Sequence, residues 1–260
     1  MKYIASCSFG KDSLAAIITR KEHGEPVDEA VYCRIMFDDE TSAEYPEHED
    51  WIHGHAIPLL KSQYGINTTI VQGPYTYVDC FYTKYESGEK AGKIWAFPFL
   101  NGPWCNSRLK VRPMNAWGKS IGEYSQIVGI AFDEKKRAER DTVKGKILPL
   151  VEHEIPEIQT FDICRKADLL SPAYSNDRDR LGCWFCHNQR IGSLRRLRHE
   201  YPQLWKKLMV LDRDSHVKFK PDRTLADFEE RFWNEDAQLT LWNYKEASSG
   251  CICDTPCGRC

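Results

Sequence analysis

No apolar run in the 260 residues approaches the roughly 20 needed to cross a bilayer. The first residues, Met-Lys-Tyr-Ile-Ala, reach a polar glycine turn too soon for a secretory leader, so a cytoplasmic protein is expected. Two familiar phosphate signatures are missing. There is no Gly-x-x-x-x-Gly-Lys-Ser/Thr and no Gly-x-Gly-x-x-Gly. Long polar tracts and internal repeats are absent, which argues against disorder and against a solenoid. Net charge is −2, so bulk charge names no partner. The distribution is uneven, because Asp38 to Asp50 carries no Lys or Arg while Arg190 to Arg223 is rich in both. The basic stretch reads either as a solvated helix face or as a nucleic-acid contact.

Cysteine is abundant, with 11 copies. An odd number cannot pair fully within one chain. In a reducing compartment such a count points to metal, cluster or redox chemistry. Cys183-Trp184-Phe185-Cys186 has metal-ligand spacing. Four more, Cys251, Cys253, Cys257 and Cys260, crowd the tail from Ser248, read as mobile. They fit a second zinc site, a persulfide relay or a redox-sensitive end. Cys7, Cys33 and Cys80 stand alone and read as small buried hydrophobes.

The apolar pattern predicts strands at Lys2–Ala5, Glu29–Phe37, Thr68–Val71 and Gln126–Ile130. Helical patterns follow Ser13 and span Pro46 to Tyr64. Such alternation predicts an α/β domain with a parallel sheet and a ligand site at the strands' carboxyl ends. The loops after Ala5, Phe37 and Ile130 would lie there. From about Pro156, Leu194, Leu197, Leu204, Trp205, Leu208, Leu211, Phe228 and Phe232 recur at helical spacing. The expected organisation is a nucleotide-binding domain over 1–155, a helical section over 156–247 and a cysteine-rich tail over 248–260.

Ser8-Phe9-Gly10-Lys11-Asp12-Ser13 sits between a strand and a helix, where backbone amides can hold a phosphate. Gly10 is expected to let the backbone turn tightly. Ser8 and Ser13 offer hydroxyls and Lys11 offers charge. Asp12 would orient the loop or act on Mg²⁺. The plainer alternative is an ordinary strand–helix turn.

These residues resemble the Ser-Gly-Gly-Lys-Asp-Ser signature of PP-loop ATP pyrophosphatases. The chain is more narrowly similar to the phosphoadenosine phosphosulfate (PAPS) reductase family, iron–sulfur type, over residues 1 to about 215. The supporting segments are Phe37-Asp38-Asp39 with Tyr45-Pro46-Glu47, Trp104 to Pro113, and Gly129 to Arg137. The resemblance implies a Rossmann-like parallel sheet of the adenine nucleotide alpha-hydrolase kind, with a helical C-terminal section. It implies ATP and Mg²⁺ at Ser8 to Ser13, Asp38 and Lys110. Lys11, Asp12 and Arg137 would be catalytic, with Lys110, Arg112 and Arg137 neutralising phosphate or, on the plainer reading, forming surface ion pairs. A [4Fe-4S] cluster would use Cys105, Cys183 and Cys186. Cys164 is one candidate for the fourth ligand, and an iron left open is the other. Zinc with His187 is the competing metal. Trp104 replaces the first of the family's adjacent cysteines.

The implied activity is ATP-dependent sulfur transfer to an adenylated acceptor. Retention of the Lys11-Asp12 pair weighs against the rival, a sulfonucleotide reductase releasing sulfite. A third reading is a non-catalytic zinc protein that binds nucleotide or nucleic acid. Expected partners are an adenine nucleotide, a sulfur donor, a nucleic-acid acceptor (tRNA or DNA) tracked by Arg195, Arg196, Arg198, Lys206 and Lys207, and a second copy of the chain. No membrane is expected.

Overall fold

A computed structural model describes residues 1–98, 103–142, 145–175, 178 and 180–249, with side chains as far as 238. The cysteines of the tail therefore lie outside the described residues. The chain forms two compact units, Met1–Cys186 and His187–Cys260.

The first unit opens with β1 (Lys2–Ser6), α1 (Lys11–Glu22) and β2 (Glu29–Arg34). A helical stretch follows as α2 (Pro46–Trp51), a π-helical turn (Ile52–Ala56) and α3 (Ile57–Tyr64). Then come β3 (Asn67–Gln72), α4 (Tyr77–Tyr82), α5 (Trp104–Asn106), a second π-helical turn (Ser107–Val111), α6 (Arg112–Ile121) and β4 (Tyr124–Val128). Helices α7 (Lys135–Thr142), α8 (Pro149–Glu152) and α9 (Glu157–Lys166) complete the unit. The sheet has order β3-β2-β1-β4, and every pairing is parallel. The fold is thus α/β with a Rossmann-like sheet, followed along the chain by a helical section.

Helix α1 is buried along most of its length, including Leu14, Ala15, Ala16, Ile17 and Ile18. It packs against the sheet and against α8 and α9, so no polar face is needed. Asp12 in its first turn and Arg20 and Lys21 in its last complement the helix dipole.

Two strands end where local chemistry stops them. β2 was expected to reach Phe37 but leaves the sheet after Arg34. Met36 pairs antiparallel with Ser42 instead, and the Asp38 carboxylate accepts the amides of Glu40 and Thr41 at 3.1 and 2.7 Å. β4 ends at Val128, before Gly129, where the backbone passes the start of α1 with no room for a side chain.

The second unit contains α10 (Ile191–Glu200), α11 (Pro202–Asp214) and α12 (Leu225–Ser249). Leu194, Leu197, Trp205, Leu208, Leu211, Phe228 and Phe232 are buried, as the helical spacing predicts. The α10 arginines have local partners. Arg195 and Arg198 reach Asp236 at 2.8 and 2.7 Å, Arg198 also meets Glu229 at 3.0 Å, and Arg196 meets Glu200 at 3.5 Å. Arg195 and Arg198 thus tie α10 to α12, and Arg196 pairs within α10. Among the described residues, no helix is long and apolar enough to cross a membrane.

Candidate functional site

The loop between β1 and α1 is held from every side. Ser8 N–H donates to Ser13 Oγ at 3.2 Å, and Ser13 Oγ–H donates to the Gly10 carbonyl at 2.8 Å. Phe9 N–H donates to Cys7 Sγ at 3.4 Å. Lys11 N–H donates to the Tyr174 hydroxyl at 3.0 Å. Below the loop, the Cys164 thiol donates to the Lys11 carbonyl at 3.2 Å.

The tight turn is made by Phe9 and not by Gly10. Phe9 has φ 55°, while Gly10 has φ −78° and ψ 157°, open to any residue. A left-handed conformation costs a non-glycine residue about 1–2 kcal/mol. Complete burial of the Phe9 ring, edge-on to Tyr32 at 5.3 Å, offsets that cost, since truncating a buried Phe typically costs about 3–5 kcal/mol. Phe9 is therefore an anchor beneath the loop rather than a lining residue.

Above the loop opens a cavity of about 710 Å³. Its floor is Ser8, Gly10, Lys11, Asp12 and Ser13, with Gln126, Val128 and Gly129 along β4 and its exit. Lys110, Arg137, Lys146 and Arg180 bring positive charge to its walls, and Cys33 of β2 lines it as well. The volume lies in the range of small-molecule sites. The cavity sits at the carboxyl edge of the sheet, as a parallel α/β fold dictates. Asp38 is not among the lining residues; its carboxylate is used in its own turn.

Lys11, expected to offer positive charge, is buried between two carboxylates. Its side chain is 2 % exposed and its ammonium lies 2.8 Å from Asp12 and 2.9 Å from Glu157. Burial alone would lower its pKa, but the two carboxylates more than offset this and hold it above the usual lysine value. The ammonium also sits 5.0 Å over the Phe161 ring. Thr160 Oγ1–H donates to the same Asp12 oxygen at 3.0 Å. Glu157 and Thr160 open α9, whose first amide donates to Asp133 at 3.0 Å. Arg137 holds Glu134 at 3.1 Å, and both line the cavity. The Gly129 to Arg137 segment thus braces the loop through α9.

Six of the seven described cysteines fall into two groups. Cys105, Cys183 and Cys186 share one electrostatic neighbourhood around buried Tyr77. Cys80, expected to be a bystander, belongs to it. Cys164 does not join them. It is buried beneath the loop, and its neighbours are Asp12, Cys7 and Lys11. Trp184 and Phe185 fix the Cys-x-x-Cys turn by packing on Phe37 at 4.5 and 5.2 Å. The Trp184 indole N–H donates to the Ser42 carbonyl at 2.8 Å. Burial pushes the Cys105 thiol up to about 11 and the Cys183 thiol well above the ordinary value, so both are protonated near neutral pH.

Among the described residues, no three His, Cys, Asp or Glu side chains converge closely enough to hold a metal ion. Of the four candidate ligands, Cys164 stands apart from Cys105, Cys183 and Cys186. His187, the alternative zinc ligand, lies in the second unit with its Nε2 buried and without a hydrogen-bond partner among the described residues.

Sequence reasoning missed Glu157, Thr160 and Tyr174, for none of which a local signature exists. It also missed Glu44. Burial, reinforced by Glu49, pushes the Glu44 carboxyl up to about 7 from 4.5. A folded-state value above the unfolded one stabilises the fold below about pH 4.5, and that contribution disappears as pH rises through 7. Glu44→Gln is therefore expected to gain about 1–3 kcal/mol over the parent at pH 8 and little at pH 4. Denaturant midpoints at the two pH values check this, and an equal gain at both would refute the assignment.

No family model matches the chain. It is similar to the uncharacterized protein MJ0066 of Methanocaldococcus jannaschii, with 26% identity over 212 residues. The match covers 77% of this chain and 39% of the relative, so the chain spans about two fifths of that protein's length.

Proposed function

We propose that this chain is a PP-loop ATP pyrophosphatase of the PAPS reductase type. It binds ATP at the cavity over Ser8 to Ser13 and adenylates an acceptor oxygen for replacement by sulfur. The observation that carries the reading is the braced loop itself. It places the first turn of α1, whose amides lack acceptors within the helix, at the floor of a cavity whose walls carry Lys110, Arg137, Lys146 and Arg180 beside Glu134 and Glu157.

The acceptor oxygen attacks the α-phosphorus, the bond to the β-phosphate breaks, and pyrophosphate leaves. The Asp12 and Ser13 amides at the start of α1 and the Ser8 hydroxyl bind the departing phosphates, while the Ser8, Phe9 and Lys11 amides brace the loop. Lys110 and Arg137 face the charge that develops in the transition state. Tyr174 and α9 keep the loop in shape, and Lys11 holds Asp12 and Glu157 in place. Mg²⁺ entering with the nucleotide would supply Lewis-acid charge, and Asp12 would offer it a carboxylate oxygen beside phosphate oxygens and water. A sulfur nucleophile then displaces AMP. Cys105 adjoins Asn106, which lines the cavity, and Cys33 is in its wall. Cys105, Cys183 and Cys186 would be the residues to hold an iron–sulfur cluster, and no step is routed through one.

Retention of Lys11 and Asp12 supports ATP over a sulfonucleotide as substrate. The test uses the whole chain purified without oxygen. Calorimetry is expected to show ATP uptake, and AMP and pyrophosphate are expected in the presence of an acceptor. Lys110→Ala is expected to slow pyrophosphate release by about 10²-fold, the effect of removing one preorganised charge. Absence of adenine-nucleotide uptake, or sulfite release from PAPS without ATP, would sink the reading.

A further inference from the structure

A surface beside the nucleotide cavity has no role in the chemistry above. Residues 83–96 form a short hairpin. Lys84 bridges Ile94, Tyr85 N–H donates to Lys93 O at 3.0 Å, and Trp95 N–H donates to Thr83 O at 2.8 Å. The hairpin sets Tyr85 and Trp95 6.3 Å apart, and Trp95 lies 6.0 Å from Trp104. All three rings are partly exposed. The Arg108 guanidinium stacks over Trp95 at 4.8 Å. Trp104 is fixed by its indole N–H, which donates to the Ala96 carbonyl at 3.2 Å.

The hairpin tip also carries Glu86 and Glu89, and Lys90 lies over the Tyr85 ring at 5.7 Å. Lys84, Lys93, Arg108 and Arg112 make no ion pair with a carboxylate among the described residues. Arg195 and Arg198 are both bound to Asp236. The segment that carries Trp104 and Arg108 continues to Lys110 in the cavity wall.

We propose that this strip seats a single-stranded polynucleotide, which on the adenylation reading above is the acceptor. Aromatic and guanidinium planes accept bases by stacking, whatever their sequence. Spaced cations without acidic partners neutralise successive phosphates. An acidic peptide would use the cations and leave the rings idle. The position of Lys110 leads one end of the bound strand toward the cavity.

The test is fluorescence anisotropy of a labelled pyrimidine oligonucleotide of about 12 residues, within the usual single-strand site sizes, with the intact chain and without ATP. Binding is expected to quench tryptophan emission and to weaken with salt. Trp95→Ala is expected to weaken binding about tenfold or more, the loss of one base stack. Arg108→Glu is expected to do likewise and to lower the salt slope by about one. Lys206→Glu, on α11, is expected to change affinity little. ATP uptake by both strip variants should equal the parent's, so failure of either binding reaction is read separately. Should Trp95→Ala not fold, Arg108→Glu and Lys93→Glu carry the test. Absent binding, binding indifferent to the strip variants, or equal capture of poly-glutamate without quenching overturns the proposal.

Discussion

Replacing Gly129 by alanine is expected to abolish adenine-nucleotide uptake while leaving most of the sheet intact. A Cβ at this position would stand 2.3 Å from the Asp12 carbonyl oxygen, 2.5 Å from its carbon and 2.6 Å from the Ser13 nitrogen. All three are backbone atoms at the start of α1, so no side chain can rotate away. Relief requires β4 or the entire loop to shift. Forced overpacking of this kind costs about 1–3 kcal/mol, occasionally more. The shift acts on the very amides that would face the phosphates. Calorimetric titration with ATP and a thermal melt measure the two consequences together. Retention of affinity within about threefold of the parent, less than 1 kcal/mol, would mean that the loop is not the phosphate seat.

Lys11→Ala should give the second large effect, in two separable parts. Removing the ammonium leaves Asp12 and Glu157 facing one cavity without their shared cation. Breaking a fully buried pair costs about 3–5 kcal/mol. Both carboxylates are about one third exposed, and solvent screening brings the expectation to roughly 1–3 kcal/mol. This part needs no nucleotide and shows in the denaturant midpoint. A double-mutant cycle with Glu157→Gln isolates it, with a coupling of about 0.5–3 kcal/mol expected for groups in contact. The second part is a fall in pyrophosphate release beyond what reduced folding explains. A stable, fully active Lys11→Ala protein would remove both the brace and the proposed chemistry.

Much of this arrangement was legible in the residues. The four strands and their parallel class follow from short β-branched or apolar runs alternating with helical patterns. The loop was legible because phosphate binding demands particular residue types between a strand and a helix. The bracing was not. Glu157 is 146 positions from Lys11, and nothing near either residue announces the other. The roles of Phe9 and Gly10 were exchanged, since identity alone suggests glycine for the tight turn. Only a buried pocket for the Phe9 ring makes the left-handed residue affordable elsewhere. Cys164 resembled a ligand by residue type, yet α9 faces α1 and carries its thiol under the loop. Cys80 seemed isolated along the chain and is near Cys105 in space.

The buried ring of Phe9 has a kinetic corollary. A backbone crest nailed down from beneath has little freedom left to surrender when an anion lands on it. Capture should then proceed at similar speed for short and long polyphosphate tails, and selectivity among them should reside in how long each stays. Stopped-flow traces for AMP, ADP and ATP would share an association phase and differ in their escape.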